Sequence, residues 1–277
     1  MSLTQTKLEL GVIVELTEDV ETSFAKVTDL GLTTCQLMSW RPHILNDSLV
    51  HKVKGAIAET GVCVSSYWAG HSGTPVWNFI DGPSTIGLVP ESTRDMRVDE
   101  LIRGANFAHA IGAPSMTTHV GFVPENPSDP TYEGLVQAVR RIARHCEKLG
   151  LAFCFETGQE TPTTLLRTIE DVGIDNLGIN LDPANLLMYG KANPLDAIEL
   201  FGHLVKGLHA KDGKYPVDGR ALGKEQRLGE GLVHFDRLIP RLKELGFTGP
   251  ITIEREVLGE QQRVEIVRSI EALESLR

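Results

Sequence analysis

The sequence is punctuated by seven glycines, each of which follows an amphipathic stretch and precedes a short strand-like run. A glycine just past the end of a helix supplies the left-handed backbone conformation that other residues adopt only with strain. The glycines are Gly31, Gly61, Gly112, Gly150, Gly173, Gly202 and Gly246. The strand-like runs after them are 33–38, 62–68, 114–120, 151–156, 177–182, 205–210 and 251–254, and an eighth run, 8–16, opens the chain. The pattern predicts eight strands that alternate with helices.

The alternation of strands and helices favours a closed parallel barrel. Each strand, crossover helix and following parallel strand form a right-handed unit, and eight such units close naturally into a ring. The alternative is an open doubly wound sheet, whose first strand is normally followed by a glycine-rich turn, and the stretch GVIVELTED (11–19) has none. We therefore expect one (β/α)8 TIM barrel domain over residues 1–277, with the irregular stretch 70–92 lying over its C-terminal face.

The charge balance and the cysteines narrow the class of protein. The formal net charge of −10 argues against a nucleic acid partner, because such binding needs a basic face. No apolar run approaches the ~20 residues that cross a bilayer, and the N-terminal stretch lacks the pattern of a secretory signal. We therefore expect no membrane contact and a cytoplasmic location. The four cysteines show no CxxC spacing and are expected to form no disulfide.

Four of the predicted strands end in a residue that can bind a metal ion. In LAFCFE (151–156), Phe153 and Phe155 alternate with Cys154 and Glu156, and LGINLD, VKGLHA and ITIE repeat this alternation. A barrel strand turns its bulky apolar residues toward the helices and the alternate residues toward the axis. The residues expected to point inward at the C-terminal ends of these strands are Glu156, Asp182, His209 and Glu254.

These four side chains have the composition of a ligand set for one divalent metal ion. Three converging carboxylates repel one another unless a positive charge lies between them. One imidazole with three carboxylates suits Mn²⁺, Mg²⁺, Co²⁺ or Zn²⁺, and the oxygen-rich shell favours the first two. Thiolates are absent, so a closed structural zinc site does not match. The sequence therefore predicts a metal site at the face of the barrel where barrel enzymes keep their active sites.

The segments around these residues resemble a known superfamily. FETGQE (155–160), NLDPAN (180–185), LHAKD (208–212) and TIERE (252–256) resemble the xylose isomerase-like sugar isomerase and epimerase superfamily, and the resemblance covers essentially the whole chain. This superfamily includes ketose 3-epimerases, hydroxypyruvate isomerase, inosose dehydratase and an endonuclease branch. The endonuclease branch uses several metals and more histidines, which this acidic chain lacks. The resemblance implies that the four residues named above ligate one metal ion.

The resemblance also implies a reaction. Glu156 and Glu254 would be the catalytic acid and base on opposite sides of the substrate, and a proton would pass between them through a metal-stabilised enediolate. The implied protein is a metal-dependent isomerase or epimerase of a small sugar, sugar phosphate or related polyhydroxy carbonyl compound. A dehydratase of the inosose or dehydroshikimate type would use the same residues and stays open. A barrel that binds a sugar without turning it over also stays open, although binding alone needs no matched acid and base.

Two positions depart from the pattern of the ketose 3-epimerases. Those enzymes carry a histidine three residues after the metal-binding aspartate, where this chain has Asn185. They carry an arginine six residues after the metal-binding histidine, where this chain has Tyr215. Neither departure touches the metal ligands, but both weigh against a free ketohexose as the substrate.

Further residues are expected around the substrate. His119 ends the fourth strand with inward parity and should either contact the substrate or fix a neighbouring ligand, and Lys211 shares the parity of His209. One of the three tryptophans is expected to pack against the sugar carbons. The predicted substrate-binding residues are His119, Asn185, Lys211 and Arg227.

Arg227 belongs to a basic segment that suggests an anion site. Residues 214–227 carry Lys214, Arg220, Lys224 and Arg227 and precede the sequence Gly-Glu-Gly at 229–231. A basic loop over a barrel mouth can hold a phosphate or carboxylate of the substrate. A homo-oligomer is compatible with the sequence, which carries no signal that decides it.

Overall fold

The computed structural model describes residues 7–277 and contains a closed barrel of eight parallel strands. The barrel strands are β1 (Leu10–Glu15), β2 (Thr34–Ser39), β3 (Cys63–Ala69), β4 (Ser115–Thr118), β5 (Ala152–Glu156), β6 (Leu177–Leu181), β7 (Val205–Ala210) and β10 (Ile251–Ile253). Their order around the ring is β1-β10-β7-β6-β5-β4-β3-β2. The predicted TIM barrel and its eight strands are confirmed. A separate antiparallel hairpin, which the sequence analysis did not predict, consists of β8 (Asp212–Lys214) and β9 (Lys224–Gln226).

Helices connect the strands and cover the outside of the barrel. They are α1 (Val20–Thr28), α2 (Asp47–Thr60), α3 (Gly82–Thr85), α4 (Glu91–Ile111), α5 (Pro130–Lys148), α6 (Pro162–Val172), α7 (Pro183–Met188), α8 (Pro194–Phe201), α9 (Phe235–Glu244) and α10 (Glu260–Leu273). Two short 3₁₀ helices span Pro42–Ile44 and Gly202–Leu204. Side chains that accept a first-turn N–H fix several helix starts. These N-caps include Asp19, Asn46, Asp129, Thr161, Asp182 and Asn193.

The predicted left-handed conformation of the glycines after helices is confirmed at six of the seven positions. Gly31, Gly61, Gly112, Gly150, Gly173 and Gly246 have φ between +64° and +93°, which is the left-handed region. The expectation is wrong for Gly202, whose φ is −56° and which begins a 3₁₀ helix. A Cβ atom on Gly202 would come within 2.6 Å of Leu245 Cδ1. Close packing, and not backbone conformation, accounts for the glycine at this position.

The two faces of each barrel strand have different chemistry. Phe153, Phe155, Ile179 and Leu208 are fully buried in the apolar core between strands and helices. The alternate residues fill the interior of the barrel, where polar side chains contact one another between neighbouring strands and across the axis. Gln36 on β2, for example, donates to Asn180 Oδ1 on β6 at 3.2 Å. The predicted inward parity therefore holds, and most of the apolar core lies outside the barrel.

The irregular stretch 70–92 lies over the C-terminal face, as predicted, and buried polar contacts hold it in place. His71 Nε2 accepts a hydrogen bond from the Gly87 N–H, so its Nδ1 carries the proton donated to the Ser72 carbonyl. Arg97 donates to the carbonyls of Gly87 and Thr85. These contacts fix the loop that carries Trp77 into the barrel mouth.

The structure gives one observation on membrane-spanning helices and one on the cysteines. Within residues 7–277, no helix combines the length and apolar character needed to cross a membrane. All four cysteines are free thiols; Cys35, Cys146 and Cys154 are buried and Cys63 is exposed. The predicted cytoplasmic location stays a prediction.

Replacing Gly87 with alanine is expected to destabilise the fold more than the same change at Gly31. Both glycines have nearly the same left-handed φ, +73° and +70°, so both substitutions carry about 1–2 kcal/mol of backbone strain. Only at Gly87 would the new Cβ also meet backbone, 2.1 Å from the Val120 carbonyl carbon. We expect the free energy of unfolding in urea to fall by about 1–3 kcal/mol more for Gly87→Ala. Equal losses would contradict this account of the loop.

Candidate metal centre

The structure brings together the four predicted ligands at the C-terminal end of the barrel. One ligand atom from each of Glu156, Asp182, His209 and Glu254 lies within 4.8 Å of the others. His209 Nδ1 is central: it lies 2.8 Å from Glu254 Oε2, 3.1 Å from Glu156 Oε1 and 3.8 Å from Asp182 Oδ2. Three of the four side chains are at most 3% exposed, and that of Glu254 is 16% exposed. The cluster is therefore buried, with one side open.

The two carboxylate oxygens of Asp182 have different roles: one caps a helix and the other faces the cluster. Its Oδ1 caps α7 by accepting from the Asn185 N–H at 2.8 Å. Its backbone is held by Thr157, whose hydroxyl accepts from the Asp182 N–H and donates to the Asp182 carbonyl, both at 2.8 Å. The remaining oxygen, Oδ2, is left facing the cluster.

A polar chain across the barrel fixes the orientation of His209. Its Nε2 lies 2.7 Å from Gln36 Oε1, and the Gln36 amide nitrogen donates to Asn180 Oδ1. Because the Gln36 amide nitrogen is engaged by Asn180, its carbonyl oxygen faces His209 and requires Nε2 to carry the proton. The lone pair on Nδ1 then points at the three carboxylates. This is the arrangement by which proteins orient a metal-binding histidine.

The unpartnered atoms of the cluster test whether a metal ion fits. Asp182 Oδ2, His209 Nδ1 and Glu254 Oε2 are buried and form no hydrogen bond. Buried polar atoms almost always have a partner, and these three converge on one point. Three oxygens and one imidazole nitrogen are donors that divalent cations accept. The residues present therefore fit one divalent metal ion.

The charges around the cluster also favour a cation at its centre. Burial opposes a charge on His209, but Glu156 and Glu254 outweigh burial and raise the pKa of the imidazole well above its usual value. The pKa of Glu156 is raised by burial and lowered more strongly by His119 and His209, so it lies below its usual value. A positive charge is thus required at the centre of the cluster, and a bound cation would take the place of the imidazole proton.

Glu156 is held from the side opposite His209. The indole N–H of Trp68 donates to Glu156 Oε2, and His119 Nε2 lies 3.7 Å from the same oxygen. His119 is buried, packs edge-on against Trp68 and Trp77, and has an unpartnered Nδ1. The structure places His119 both in the barrel mouth and beside a ligand, which are the two positions that its parity had left open.

Lys211 and Asn185 line the other side of the cluster. Lys211 Nζ lies 2.5 Å from Glu256 Oε1, 3.1 Å from Glu254 Oε1, 3.3 Å from Asn185 Oδ1 and 3.6 Å from Asp182 Oδ2. Burial opposes the charge of Lys211, but Glu254 and Asp182 outweigh burial and raise its pKa well above its usual value. Lys211 therefore stays charged and holds one oxygen of Glu254.

A cavity of about 430 Å³ opens over the cluster. Its apolar wall contains Trp40, Trp68 and Trp77, and the ring centroid of Trp40 lies 4.9 Å from that of Trp68 and 5.8 Å from that of Trp77. All three tryptophans reach the cavity, where one had been expected. Its charged lining residues are Glu156, Lys211, Glu225, Glu254 and Glu256. Apart from Lys211, the charged wall is acidic.

The structure does not bring Arg227 or the rest of the basic segment into the cavity. Arg227 Nε donates to Glu265 at 2.8 Å on the outer side of the barrel mouth, and its side chain is 47% exposed. Lys214, Arg220 and Lys224 are also exposed. The hairpin instead presents Leu222, Gly223 and Glu225 to the cavity. Arg227 thus lies outside the cavity lining in an ion pair with Glu265, and its contact with the substrate stays a prediction.

The Gly-Glu-Gly sequence also has a partner within the protein. The buried carboxylate of Asp212 accepts backbone N–H groups from Gly213, Gly229, Gly231 and Val233 at 2.8–3.2 Å. A Cβ atom on Gly231 would lie 1.9 Å from Asp212 Oδ1. The backbone N–H groups of this loop are thus engaged by an aspartate of the protein itself.

Several residues of the site were missed by the sequence analysis. Gln36 carried a usable signal, because it shares the inward parity on β2, but its partner His209 lies 173 positions away along the chain. Glu256 stands two residues after Glu254, with the same parity. Glu225 lies on a hairpin that no periodicity marked. Outside the cavity lining, Glu160 is buried with both carboxylate oxygens unpartnered, and burial raises its pKa to about 8.

Replacing Gln36 with leucine is expected to weaken metal binding by about 10–100-fold, the usual effect of losing a residue that orients a ligand. The change removes the acceptor that fixes the His209 proton on Nε2 and leaves Asn180 without its donor. The measurement is calorimetric titration of metal-stripped protein with Mn²⁺. Ser66→Ala is the control, since Ser66 lies in the same barrel interior and contacts Thr117, not His209. Equal affinity losses in both variants would show that Gln36 does not act through His209.

The pKa of Glu160 predicts a pH dependence of stability. Its pKa is about 8 in the folded protein against an ordinary 4.5, so between these values the folded state holds a proton that the unfolded state releases. Rising pH therefore favours unfolding over this range, by at most about 1.4 kcal/mol per pH unit. Glu160→Gln should gain stability relative to the wild type between pH 5 and 8, whereas the exposed Glu271→Gln should not. A difference in the free energy of unfolding between wild type and Glu160→Gln that stays the same from pH 5 to pH 8 would contradict the prediction.

One relative and three solved structures show what the chain is similar to. It is 34% identical to a xylose isomerase domain protein from Planctomyces limnophilus, with a TM-score of 0.91 and 98% of each chain covered. The fold also matches a D-tagatose 3-epimerase-like protein at 20% identity, TM-score 0.76 and 97% of each chain. It matches a xylose isomerase-like TIM barrel protein from Mycobacterium smegmatis, solved in complex with magnesium, at 18% identity and TM-score 0.73, over 98% of this chain and 96% of that one.

The chain is also similar in sequence to one further protein and matches the sequence model of one family. An uncharacterized protein from Methanocaldococcus jannaschii is 26% identical over 179 residues, which are 60% of this chain and 59% of that protein. The matched part is thus less than two thirds of that relative's length. The sequence model of the family described as xylose isomerase-like TIM barrel matches residues 24–276. The match spans nearly all of the described residues, and the chain therefore belongs to the xylose isomerase-like TIM barrel family.

Proposed function

We propose that this protein is a divalent-metal-dependent isomerase or epimerase of a small neutral sugar or related polyhydroxy carbonyl compound. One observation carries the proposal: two glutamates, Glu156 and Glu254, share one buried ligand cluster and open on one cavity. A binding protein would have no use for a matched pair of proton acceptors at the same point. The D-tagatose 3-epimerase-like protein that has this fold supports the reaction class.

The cluster assigns roles to its residues. Glu156, Asp182, His209 and Glu254 would hold the metal ion, whose charge, when bound, acidifies a C–H bond next to a carbonyl group of the substrate. The oxygen-rich donor set favours Mn²⁺ or Mg²⁺ over Co²⁺ and Zn²⁺. The magnesium complex of the Mycobacterium smegmatis protein with this fold supports a hard divalent cation here as well.

The two glutamates are prepared for proton transfer by different neighbours. The indole of Trp68 and the imidazole of His119 orient Glu156 Oε2, and Lys211 orients Glu254 Oε1. The pKa of each glutamate is raised by burial and lowered more strongly by the adjacent cations, so both lie below the usual range. Both groups are therefore carboxylates at neutral pH, and either can accept the substrate proton. The glutamate that accepts the proton can return it to the neighbouring carbon, which gives an isomerisation. For an epimerisation the proton would first pass to the other glutamate, which delivers it to the opposite face.

The cavity wall favours a substrate without a phosphate or carboxylate group. Of its charged residues, Glu225 and Glu256 lie outside the ligand cluster, and Lys211, the one lysine or arginine of the lining, is already engaged by carboxylates. An anionic substituent would meet repulsion there, whereas hydroxyl groups can donate to these oxygens. The C–H face of a sugar matches the wall of three tryptophans, with His119 and Asn185 as further hydrogen-bonding groups.

Deuterium exchange separates the proposed activity from its alternatives. Proton NMR in D₂O with a panel of neutral ketoses and aldoses should show deuterium entering the substrate without loss of water. Loss of water would indicate the dehydratase alternative, and binding without exchange or turnover would indicate a sugar-binding barrel. Protein stripped of metal by chelation and dialysis should be inactive until Mn²⁺ or Mg²⁺ is restored. Full exchange in a preparation that elemental analysis shows to be metal-free would overturn the proposal.

Glu254→Gln is expected to lower turnover by at least about 10²-fold, the usual scale for a lost acid or base group. Glutamine keeps the size and one oxygen of the side chain but cannot accept a proton. Glu256→Gln, two residues further on and outside the ligand cluster, should lose less, since its contact is with Lys211. Equal turnover of Glu254→Gln and wild type would remove Glu254 from the mechanism.

A further inference from the structure

Glu254 differs from the other members of the cluster in how its backbone is held. The other three lie in a barrel strand or at a helix N-cap. Glu254 lies one residue beyond β10, in the irregular segment 254–258, and its N–H reaches the Ala210 carbonyl only at 3.4 Å. Its side chain is also the most exposed of the four. The strand ladder therefore holds the Glu254 backbone less firmly than those of the other three, and contacts from outside the barrel add to the hold that Lys211 has on its side chain.

The next residue, Arg255, supplies such contacts. Its Nη1 lies 2.5 Å from Glu225 Oε2 on the hairpin, and its Nε lies 2.6 Å from Glu265 Oε2 on α10. Its backbone carbonyl accepts from Gln262 Nε2 at 2.7 Å. The Arg255 side chain is 11% exposed. A largely buried guanidinium held at two edges leaves the backbone beside it little freedom.

Glu265 is the residue on which these contacts converge. It is buried, it accepts from Arg255 through Oε2, and its Oε1 accepts from Arg227 at 2.8 Å and from Gln261 at 3.1 Å. These hydrogen bonds, that of Arg227 first, lower the pKa of Glu265 to about 2, so it is a carboxylate at neutral pH. Glu225 meanwhile accepts the Glu256 N–H at 3.1 Å. The network joins the hairpin, the segment 254–258 and α10.

We propose that Glu265 is a positioning residue that acts through Arg255, holding Glu254 in the ligand cluster and Glu225 in the cavity wall. The proposal rests on the proposed function for the identity of Glu254 as a ligand. Loss of the Glu265 charge leaves the Arg255 side chain anchored only to the hairpin, which is itself bound to the barrel through Asp212 at its base. Glu254 then has more conformations available, and each metal-binding event must restrict them. Glu265 contacts Arg255 and not the ligand Glu254, so its effect on metal binding is indirect.

The test compares Glu265→Gln with Glu265→Asp and two controls. Glutamine keeps the shape without the charge, and aspartate keeps the charge. Glu274→Gln removes another ion-paired carboxylate, at the end of the same helix, that contacts Arg277 and lies outside the site. Gly31→Ala reports the effect of a general loss of stability. Two quantities are measured on metal-stripped protein well below its melting temperature: the Kd for Mn²⁺ and the hydrogen exchange of the backbone amides.

We expect Glu265→Gln to raise the Kd for Mn²⁺ about tenfold, which is the lower end of the range of affinity losses seen for residues that orient a metal ligand. Amides of 222–227 and 255–258 should exchange about tenfold faster, with those of β5 and β6 unchanged. Glu265→Asp should recover part of both effects, and the two controls should show neither. An unchanged Kd and unchanged exchange in Glu265→Gln, or equal changes in a control, would overturn the proposal.

The result remains separable from the fate of the proposed function. If the wild-type protein binds Mn²⁺ but turns over no sugar, the Kd and the exchange rates still decide whether Glu265 positions the cluster. If the wild type binds no Mn²⁺ or Mg²⁺, the proposed function fails, and so does the assignment of Glu265 as a residue that positions a metal ligand.

Discussion

The mutual repulsion of three buried carboxylates is the constraint on which the site depends. Glu156, Asp182 and Glu254 are brought within a few ångströms of His209 Nδ1, where water is largely excluded. Such a group of charges is stable only with a compensating cation and with donors on the outer oxygens. The neighbouring residues supply those donors. Lys211 and the Trp68 indole face the outer oxygens, and the Asn185 N–H takes the second oxygen of Asp182.

The barrel tolerates this polar centre because its apolar core lies elsewhere. Phe153, Phe155 and Ile179 are buried between the strands and the surrounding helices, and their contacts do not depend on what occupies the axis. The inward positions are then free to carry Gln36, Asn180 and the ligands. Stability and chemistry thus use opposite faces of the same strands, which is the general reason that barrels support many reactions.

Periodicity predicted the parts of this structure that local sequence determines. Strand alternation placed Glu156 and its three partners on one face, and the glycines after helices marked most of the helix ends. Contacts between distant segments were not predictable in this way. The pairing of Gln36 with His209 and that of Arg227 with Glu265 depend on the closed ring and on where a loop returns. A count of positive charges in 214–227 predicted an anion site, but it could not show that these side chains face outward.

The carboxylate of Asp212 organises the whole connection between β7 and α9. One side chain satisfies backbone N–H groups drawn from both ends of that connection, so the two ends are tied together whatever lies between them. Residues 215–222 are therefore the part of the mouth that can change in length and sequence without disturbing its anchor. Variation among descendants of such a chain can reshape the wall over the cavity while Glu156, Asp182 and His209, which lie in or beside the barrel strands, stay as they are. The wall formed by 215–222 can in this sense change independently of the three ligands that the barrel strands hold.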